Sequence, residues 1–245
     1  MSGHSKWSTI KRQKESTDIK RGLLFSKLAR AITIAAREGV NPDANFKLRL
    51  AIDRARAANM PKDNIERAIT KAVGGAAVEE VTYEGYGPSG VAVVVQAVTD
   101  NKNRTAQEIK NLFERGGGRL GNPGSVSYQF EELGQLLVQK TSSPEEQMLA
   151  LIDAGVEDLE ETPDGIEIFV NTRELSSLRE KINELGFGVV SSEFVLRPKN
   201  LITINNQSGA QKVVSFLENI QAHDDVQNVW ANIDIPQEVL GQIGK

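Results

Sequence analysis

The hydrophobic residues of this chain repeat with two different periods, and the period changes near residue 80. Between residues 16 and 75 they recur every three or four positions, which predicts amphipathic helices. Leu24, Leu28 and Ile32 form such a stripe in the first of them. After residue 80, short β-rich runs such as residues 91–98 alternate with helical segments. The chain is therefore predicted to begin with a helical bundle and to continue as α/β structure.

Glycine, proline and asparagine mark the ends of the three predicted N-terminal helices. The first helix ends before Gly39, and the second follows Asn41-Pro42, which reads as a cap and a first-turn proline. The third begins at Pro61, because proline disfavours helix in the residue before it and suits the first helical turn. Gly74-Gly75 then closes the third helix.

The later segments follow the order expected of ferredoxin-like domains. Residues 134–196 alternate as strand, helix, strand, strand, helix and strand, which is the split βαβ pattern. Residues 91–130 give a strand, a helix with a capping box at Thr105 to Glu108, and a strand in which Val126, Tyr128 and Phe130 alternate. Residues 201–235 add one more strand–helix–strand, which we expect to complete the sheet begun at 91–130.

The predicted fold class is α+β, with an N-terminal three-helix domain followed by two ferredoxin-like α/β domains, one inserted in the other. The predicted domains are a basic arm and helical bundle at 1–78, a discontinuous domain at 79–133 plus 200–245, and an inserted domain at 134–199.

The overall charge of −4 conceals a strong asymmetry along the chain. Residues 1–75 contain 16 Lys and Arg against 7 Asp and Glu, a balance of +9. Residues 76–245 contain 13 against 26, a balance of −13. A chance fluctuation of charge is the alternative, but a basic module that meets a polyanion beside an acidic remainder explains the split better.

The first basic element is an N-terminal arm, residues 3–14. Its cations suit phosphate neutralisation, and Trp7 offers a plane on which an unpaired base could stack. The alternative is that Trp7 packs on the bundle while the lysines are solvated. The candidate binding residues of the arm are His4, Ser5, Lys6, Trp7, Lys11, Arg12 and Lys14.

The second basic element is the surface of the bundle, where cations recur at helical spacing with few compensating acids. Arm and helices together could form one continuous positive surface, as phosphate binding requires. The alternative is an ordinary solvated helix face. The candidate residues are Lys20, Arg21, Lys27 and Arg30 on the first helix, and Lys47, Arg49, Arg54 and Arg56 on the second.

The amino-acid composition and motifs exclude several kinds of functional site. Cysteine is absent, which excludes disulfides, thiolate metal sites and cysteine nucleophiles. His4 and His223 are the only histidines, so a histidine-rich metal site is impossible. Gly116, Gly118 and Gly121 spell G-x-G-x-x-G, but they follow a helix and lead into a strand, the reverse of a dinucleotide site. We therefore predict no enzyme activity, no cofactor, no metal and no small-molecule substrate.

Two further observations bear on the location of the protein in the cell. No apolar run approaches the length of a transmembrane helix, and the N-terminus lacks the apolar segment of a secretory signal. We expect no membrane association and a cytoplasmic location.

In residues 100–104, Lys102 and Arg104 could bind an anion at a helix start, although asparagine capping explains this loop without a ligand.

Several motifs resemble those of the YebC family, which includes the mitochondrial translational activator of cytochrome oxidase. The resemblance covers nearly the whole chain. It rests on Gly3-His4-Ser5-Lys6-Trp7 with Ile10-Lys11, Asn59-Met60-Pro61-Lys62-Asp63, Ile65-Glu66-Arg67-Ala68-Ile69, Tyr83-Glu84-Gly85-Tyr86-Gly87-Pro88, residues 100–105, and Gly117-Gly118 through Gly124-Ser125-Val126. Leu23, where lysine is common, Ala31, where an acid is common, and a short approach at residues 39–42 are departures that affect the basic footprint.

The resemblance implies a helical domain plus two α/β domains, the outer one discontinuous, and a role in gene expression. Our primary hypothesis is a ribosome-associated factor that contacts ribosomal RNA or tRNA and assists synthesis of difficult stretches such as consecutive prolines. The alternative is a transcriptional regulator that binds duplex DNA. A third possibility is a protein–protein adaptor that uses its ferredoxin-like domains. A slim arm with one tryptophan favours RNA over DNA.

Overall fold

A computed structural model of the chain describes residues 4–7, 9–10, 21–74 and 78–243, with only the backbone of His4, Ser5 and Arg21. The described residues form two compact units. One is Glu131–Arg197, and the other combines Ser2–Phe130 with Pro198–Lys245. No helix in the described part of the chain is long and apolar enough to cross a membrane.

The second unit begins with a bundle of three helices: α1 (Arg21–Ala35), α2 (Phe46–Ala57) and α3 (Lys62–Val73). Leu28 and Ile32 of α1 are buried against Leu48 and Ile52 of α2, as the helical period predicts, and Ile65 of α3 joins the same core. Burial of these apolar faces holds the bundle together, since helices this short are marginal alone.

The start of α2 differs from the prediction. Asn45 caps the helix, because its Oδ1 accepts from the amide of Leu48 at 3.0 Å. Its Nδ2 also donates to the carbonyl oxygens of Ala35 and Gly39, both at 2.7 Å, and so joins the end of α1 to the start of α2. The predicted cap, Asn41-Pro42, instead forms a turn in which the carbonyl of Asn41 accepts from Ala44 and Asn45.

The remainder of this unit is an α/β domain made from two separate stretches of chain. The first stretch contains β2 (Glu79–Tyr86), β3 (Ala92–Thr99), α4 (Lys102–Arg115) and β4 (Arg119–Leu120), after a short β1 (His4–Lys6) near the N-terminus. The second contains β9 (Ile202–Thr203), α7 (Gln207–Gln221), β10 (Val226–Ala231), β11 (Ile233–Pro236) and α8 (Gln237–Ile243).

Strand β10 joins the two stretches, because it pairs antiparallel with β3 in a sheet of order β10-β3-β2-β4. Val93 and Val95 of β3 share one core with Val213 and Leu217 of α7. Phe113 of α4 and Phe216 of α7 meet edge to face with ring centroids 5.2 Å apart. In a second, smaller sheet, β11 pairs antiparallel with β1 and parallel with β9.

The strand predicted at residues 126–130 is wrong. Ser127–Gln129 form a 3-10 turn, and Phe130 begins the strand Phe130–Val138, which continues into the Glu131–Arg197 unit. The cause is the buried carboxylate of Glu84, which accepts from the amides of Gly124, Val126 and Ser127 at 2.8, 2.9 and 2.9 Å. Burial opposes its ionisation, but these amides outweigh burial and hold the pKa of Glu84 below its ordinary value.

Two other boundaries also differ from the prediction. Helix α4 begins at Lys102 with Asn101 as its cap, since the Asn101 Oδ1 accepts from the amide of Arg104 at 3.1 Å, so the predicted capping box at Thr105 is wrong. The strand predicted near 226–233 is divided at Asn232. There the side-chain Oδ1 accepts from the amide of Ala92 at 2.8 Å, and the chain passes from one sheet to the next.

The other unit has the predicted split βαβ order. It contains β5 (Phe130–Val138), α5 (Pro144–Asp153), β6 (Asp158–Thr162), β7 (Gly165–Val170), α6 (Leu175–Glu184) and β8 (Val189–Pro198). The sheet order is β6-β7-β5-β8, as in a ferredoxin-like domain. The predicted α+β class, with one ferredoxin-like domain inserted in another, is confirmed.

The domain boundaries predicted from the sequence lead to a truncation experiment. We expect a chain that ends at Lys199 to lose the outer sheet, because it lacks β10, the neighbour of β3. A fragment covering Glu131–Arg197 should unfold cooperatively by itself, since it contains a complete sheet and both covering helices. Amide hydrogen exchange would report this. A chain ending at Lys199 that protects β3 as the full chain does would contradict the discontinuous domain.

Candidate nucleic-acid interface

Trp7 is not available to stack on a base. Its side chain is 4% exposed and lies in the α/β core with Ile10 and Val229. Its Nε1–H donates to the carbonyl oxygen of Val229 at 3.0 Å. The pairing of β1 with β11 brings this part of the chain to the α/β domain. The prediction of an exposed Trp7 is therefore wrong, and so is the alternative in which Trp7 packs on the bundle.

Much of the predicted arm falls where side chains are not described. The backbone of His4 and Ser5 belongs to β1, and Lys6 is half-buried. Arg21 is the first residue of α1. Lys11, Arg12, Lys14 and Lys20 lie outside the described residues, so their contact with phosphate stays a prediction.

Lys27 and Arg30 of α1 contact the α/β domain. The Lys27 ammonium donates to the carbonyl oxygen of Gln221 at the end of α7. The Arg30 guanidinium donates to the carbonyl oxygen of Asp224 at 2.6 Å and pairs with the carboxylate of Asp225 at 2.8 Å. Both cations therefore already have partners within the protein, and their contact with nucleic acid stays a prediction. They join the bundle to the domain that follows it.

Asp225 is the centre of this contact, and sequence reasoning missed its role. Its side chain is 3% exposed, and it accepts from the Thr105 hydroxyl at 2.7 Å and the Arg104 guanidinium at 2.9 Å as well as from Arg30. Burial alone would raise its pKa, but the hydrogen bonds of Thr105 and Arg104 and the charge of Arg30 hold the pKa of Asp225 below its ordinary value.

His223 extends the same network without forming a convincing metal site. Its Nδ1 accepts from the amide of Asp225 at 3.1 Å, and its Nε2 lies 2.9 Å from the Glu108 carboxylate. Ligand atoms of Glu108, His223 and Asp225 lie within 4.8 Å of one another. However, the Asp225 carboxylate is occupied by two guanidinium groups, whose charge would repel a metal ion. The donor set fits an ion-pair network better than a metal.

The four predicted cations of α2 divide into two pairs. Lys47 pairs with Glu38 at 2.8 Å, where both groups are more than half exposed, so the pair exchanges readily with other charges. Arg49 donates to the carbonyl oxygens of Pro42 and Asp43 and supports the loop before α2. Arg54 and Arg56 project to solvent. The Arg56 side chain is 71% exposed, and its nearest acid, Asp53, is 3.8 Å away.

Sequence reasoning missed two exposed cations of α3, Arg67 and Lys71. They stand one helical turn apart and line a groove of about 680 Å³ between α1 and α3, hereafter the α1–α3 groove. Their spacing of four positions places both cations on one face of a helix and could have indicated a basic surface. Asp63 and Glu66 on the same helix, however, reduce the local excess of positive charge.

Two protein-family models match the chain, one over its N-terminal helical part and one over its α/β part. Residues 5–75 match the family model described as the TACO1/YebC protein N-terminal domain, and residues 78–233 match the TACO1/YebC second and third domain. The chain belongs to the TACO1/YebC family. The resemblance found from the motifs is thereby confirmed.

Similar TACO1/YebC proteins span the same length as this chain. It is 47% identical over 246 residues to a probable transcriptional regulatory protein of Dictyoglomus turgidum, covering 98% of each chain. It is 44% identical over 250 residues to a protein of the same description from Chloroflexus aurantiacus, covering 99% of each. The crystal structure of a conserved hypothetical protein from Aquifex aeolicus matches with a TM-score of 0.84 and 44% identity, over 91% of this chain and 94% of that one.

Proposed function

We propose that this TACO1/YebC protein is a non-catalytic, nucleic-acid-binding regulator of gene expression that acts on the ribosome. In this proposal the arm and the helical bundle bind ribosomal RNA or tRNA and assist synthesis of difficult stretches such as consecutive prolines. The observation that carries it is the balance of +9 in residues 1–75, combined with solvent-exposed cations on α2 and α3. Positive surface of this kind supplies the sequence-independent part of nucleic-acid binding.

The burial of Trp7 removes one argument for RNA, so the choice of RNA now rests on the family resemblance. A specific observation favours duplex DNA as the second candidate. Helices α2 and α3 are joined by the four residues 58–61, a length typical of helix-turn-helix motifs. The names of the bacterial relatives point the same way. Against it, the first turns of α3 expose Asp63 and Glu66, which would repel the phosphates beside a major groove.

Sedimentation of native lysate separates the two candidates. We expect the full chain to travel with ribosomes, to be released by ribonuclease and by high salt, and to be unaffected by deoxyribonuclease. Salt releases it because each phosphate contact depends on counterion release. Release by deoxyribonuclease alone would contradict the ribosomal proposal and favour the transcriptional one.

A charge reversal tests whether α2 contributes to the interface. We expect Arg54→Glu to weaken RNA binding and to make the dependence of log affinity on log salt about one unit less steep, as for a lost phosphate contact. Arg173→Glu is the matched control, because it reverses one exposed arginine in the Glu131–Arg197 unit. Fluorescence anisotropy with labelled RNA measures both. Equal effects of the two substitutions would show that only net charge matters and would remove α2 from the interface.

A further inference from the structure

Tyr128 carries the most exposed aromatic ring in the described part of the chain. It lies in the 3-10 turn Ser127–Gln129, in the same unit as the outer sheet, and it is 65% exposed. No other aromatic ring and no cation of the described residues stacks on it. The ring is therefore open to a ligand, unlike that of Trp7, which is buried in the core.

Two residues hold the backbone of the turn that carries this ring. The buried carboxylate of Glu84 accepts from the amide of Ser127 at 2.9 Å. The amide of Lys199 donates to the carbonyl oxygen of Gln129 at 2.8 Å, and the Lys199 ammonium donates to that of Tyr128 at 3.0 Å. A turn that is already held in this way loses little conformational freedom when a ligand binds, which favours affinity.

The hydroxyl of Tyr128 is also tied to the protein. The side-chain amide of Gln129 donates to the hydroxyls of Tyr128 and Tyr86, at 3.3 and 3.4 Å. The Tyr86 hydroxyl in turn donates to the carbonyl oxygen of Ser125 at 3.3 Å. These contacts set the direction of the Tyr128 side chain while the residue stays mostly exposed.

Two cations accompany the ring. Arg119 of β4 is exposed and is the cross-strand partner of Tyr86. Desolvation and the neighbouring Tyr128 raise the pKa of Tyr86, whereas the charge of Arg119 opposes that rise, so the guanidinium lies close to the two hydroxyls. Lys199 is exposed as well, and neither cation forms an ion pair with a described residue. Tyr128, Arg119 and Lys199 are hereafter the Tyr128 patch.

Glycines of two family motifs build this patch. A β-carbon at Gly85 would lie 2.5 Å from the carbonyl oxygen of Arg119. A β-carbon at Gly118 would lie 2.6 Å from the carbonyl oxygen of Tyr86. Because only glycine lets two backbones approach so closely, the Tyr-Glu-Gly-Tyr-Gly-Pro motif and the glycine-rich motif after α4 together hold Arg119 beside Tyr86. Both motifs lie outside the bundle.

We propose that the Tyr128 patch binds an unpaired nucleotide of RNA, with the base stacked on the ring of Tyr128 and the phosphates near Arg119 and Lys199. Sites for single strands combine aromatic faces with positive charge in this way. The carboxylate that contacts the turn, that of Glu84, is 6% exposed and is engaged by backbone amides, so it repels a phosphate little. This inference rests on the proposed function and deepens it, because it gives the α/β domain a contact with RNA in addition to the bundle.

The patch favours unpaired RNA over a duplex. A base inside a double helix is stacked on both faces, so a ring on the protein surface can reach it only by unstacking it. Arg119 and Lys199 would still attract the phosphates of a duplex, because that attraction does not depend on pairing. The ring therefore provides the discrimination, which the cations of the α1–α3 groove do not, and none of the three patch residues lines that groove.

Fluorine NMR locates the contact in the full chain. The sequence has three tyrosines, Tyr83, Tyr86 and Tyr128, so 3-fluorotyrosine gives three resonances. Tyr83 is 9% exposed and serves as the internal control. We expect saturating hexauridylate to shift the Tyr128 resonance and to leave that of Tyr83 unchanged, and an RNA duplex to shift Tyr128 much less. A Tyr128 resonance that does not move, or that moves equally with the duplex, would overturn the proposal.

Two substitutions of Tyr128 separate the ring from its hydroxyl. We expect Tyr128→Leu to weaken binding of hexauridylate roughly tenfold, within the range for one stacked base, with an unchanged salt dependence. Tyr128→Phe keeps the ring and loses only the contact with Gln129, so its affinity should stay close to that of the wild type. A thermal melt should show little change in either variant, because the position is exposed. Equal losses in the two variants, or no loss in Tyr128→Leu, would contradict stacking.

Removal of a cation should change the salt dependence instead. We expect Arg119→Ala to weaken binding of hexauridylate and to make the dependence of log affinity on log salt about 0.7 less steep, as for one phosphate of a single strand. Arg173→Ala is the matched control, since Arg173 is an exposed arginine in the Glu131–Arg197 unit. Fluorescence anisotropy measures both variants. The same change in both would remove Arg119 from the site.

Sedimentation with ribosomes distinguishes failure of this inference from failure of the proposed function. If the wild-type chain travels with ribosomes while neither the Tyr128 resonance nor Tyr128→Leu reports hexauridylate, the patch is not an RNA site and the function stands. If Tyr128→Leu is released from ribosomes but binds hexauridylate as the wild type does, the ring contacts a ribosomal protein and the RNA site is overturned. If the wild-type chain binds neither ribosomes nor hexauridylate, the proposed function falls, and this inference falls with it.

Discussion

Replacing Trp7 with alanine is expected to lower the free energy of unfolding by about 3–5 kcal/mol, the usual cost of removing a large aromatic side chain from a core. The side chain is 4% exposed and bonds the Val229 carbonyl, so the substitution creates a cavity and leaves that carbonyl unpaired. Urea unfolding followed by circular dichroism would show the loss as a lower midpoint with an unchanged slope.

Trp7→Phe is the matched variant, since it keeps an aromatic side chain in the core but loses the Nε1–H donor. We expect an intermediate loss, of about 1–3 kcal/mol, set by the unpaired Val229 carbonyl and the smaller ring. Any loss of RNA binding should follow the fraction of unfolded protein. A Trp7→Ala protein with wild-type stability and weakened RNA binding would contradict the buried position and restore base stacking.

Asp225→Asn is expected to lower the free energy of unfolding by about 3 kcal/mol. Asparagine has nearly the same size, but Arg30 and Arg104 would lose the negative charge that they share. Breaking a buried ion pair costs about 3–5 kcal/mol. The lower end applies because both guanidinium groups keep some contact with water. Asp224→Asn is the matched control, since Asp224 is exposed and contacts Arg30 through its backbone carbonyl.

The stability that Asp225 contributes is expected to be lost in acid. Because the pKa of Asp225 is lower in the folded protein than its ordinary value of about 3.9, its contribution is complete above that value and is lost as the pH falls through the folded pKa. Below about pH 4, wild-type stability should therefore fall more steeply than that of Asp225→Asn. Equal acid sensitivity, or equal stability of the Asp224 and Asp225 variants at neutral pH, would contradict the central role of Asp225.

Elements with a strong local period were predictable from the sequence. The apolar stripe of α1 and the order of strands and helices in the inserted domain follow from side chains a few residues apart, and the structure places them as predicted. The long return of residues 201–235 to the sheet was also predictable, because an uncovered sheet face has to be buried. The first two properties follow from a local period, and the third follows from the need to bury an apolar sheet face.

Contacts between distant residues were not predictable in the same way. The partner of Trp7 is 222 positions away, and that of Lys27 is 194 positions away. In the sequence of a helix, a lysine that donates to a distant carbonyl cannot be told from a lysine that binds a phosphate. The strand predicted at 126–130 failed for a similar reason, because the Glu84 carboxylate is some 40 residues earlier. For the candidate interface, the sequence shows the excess of positive charge in residues 1–75 but not which of those cations already have partners in the fold.

The pairing of β1 with β11 has a consequence for the order in which the chain can fold during synthesis. Translation produces β1 first and β11 almost last, and β10 appears about 130 residues after β3. The inserted domain can form while the outer sheet still lacks an edge, because all of its strands are contiguous in the chain. The outer core, including the pocket for Trp7, closes only when the final segment emerges. Such non-local pairing makes folding slow and leaves hydrophobic surface exposed in nascent chains.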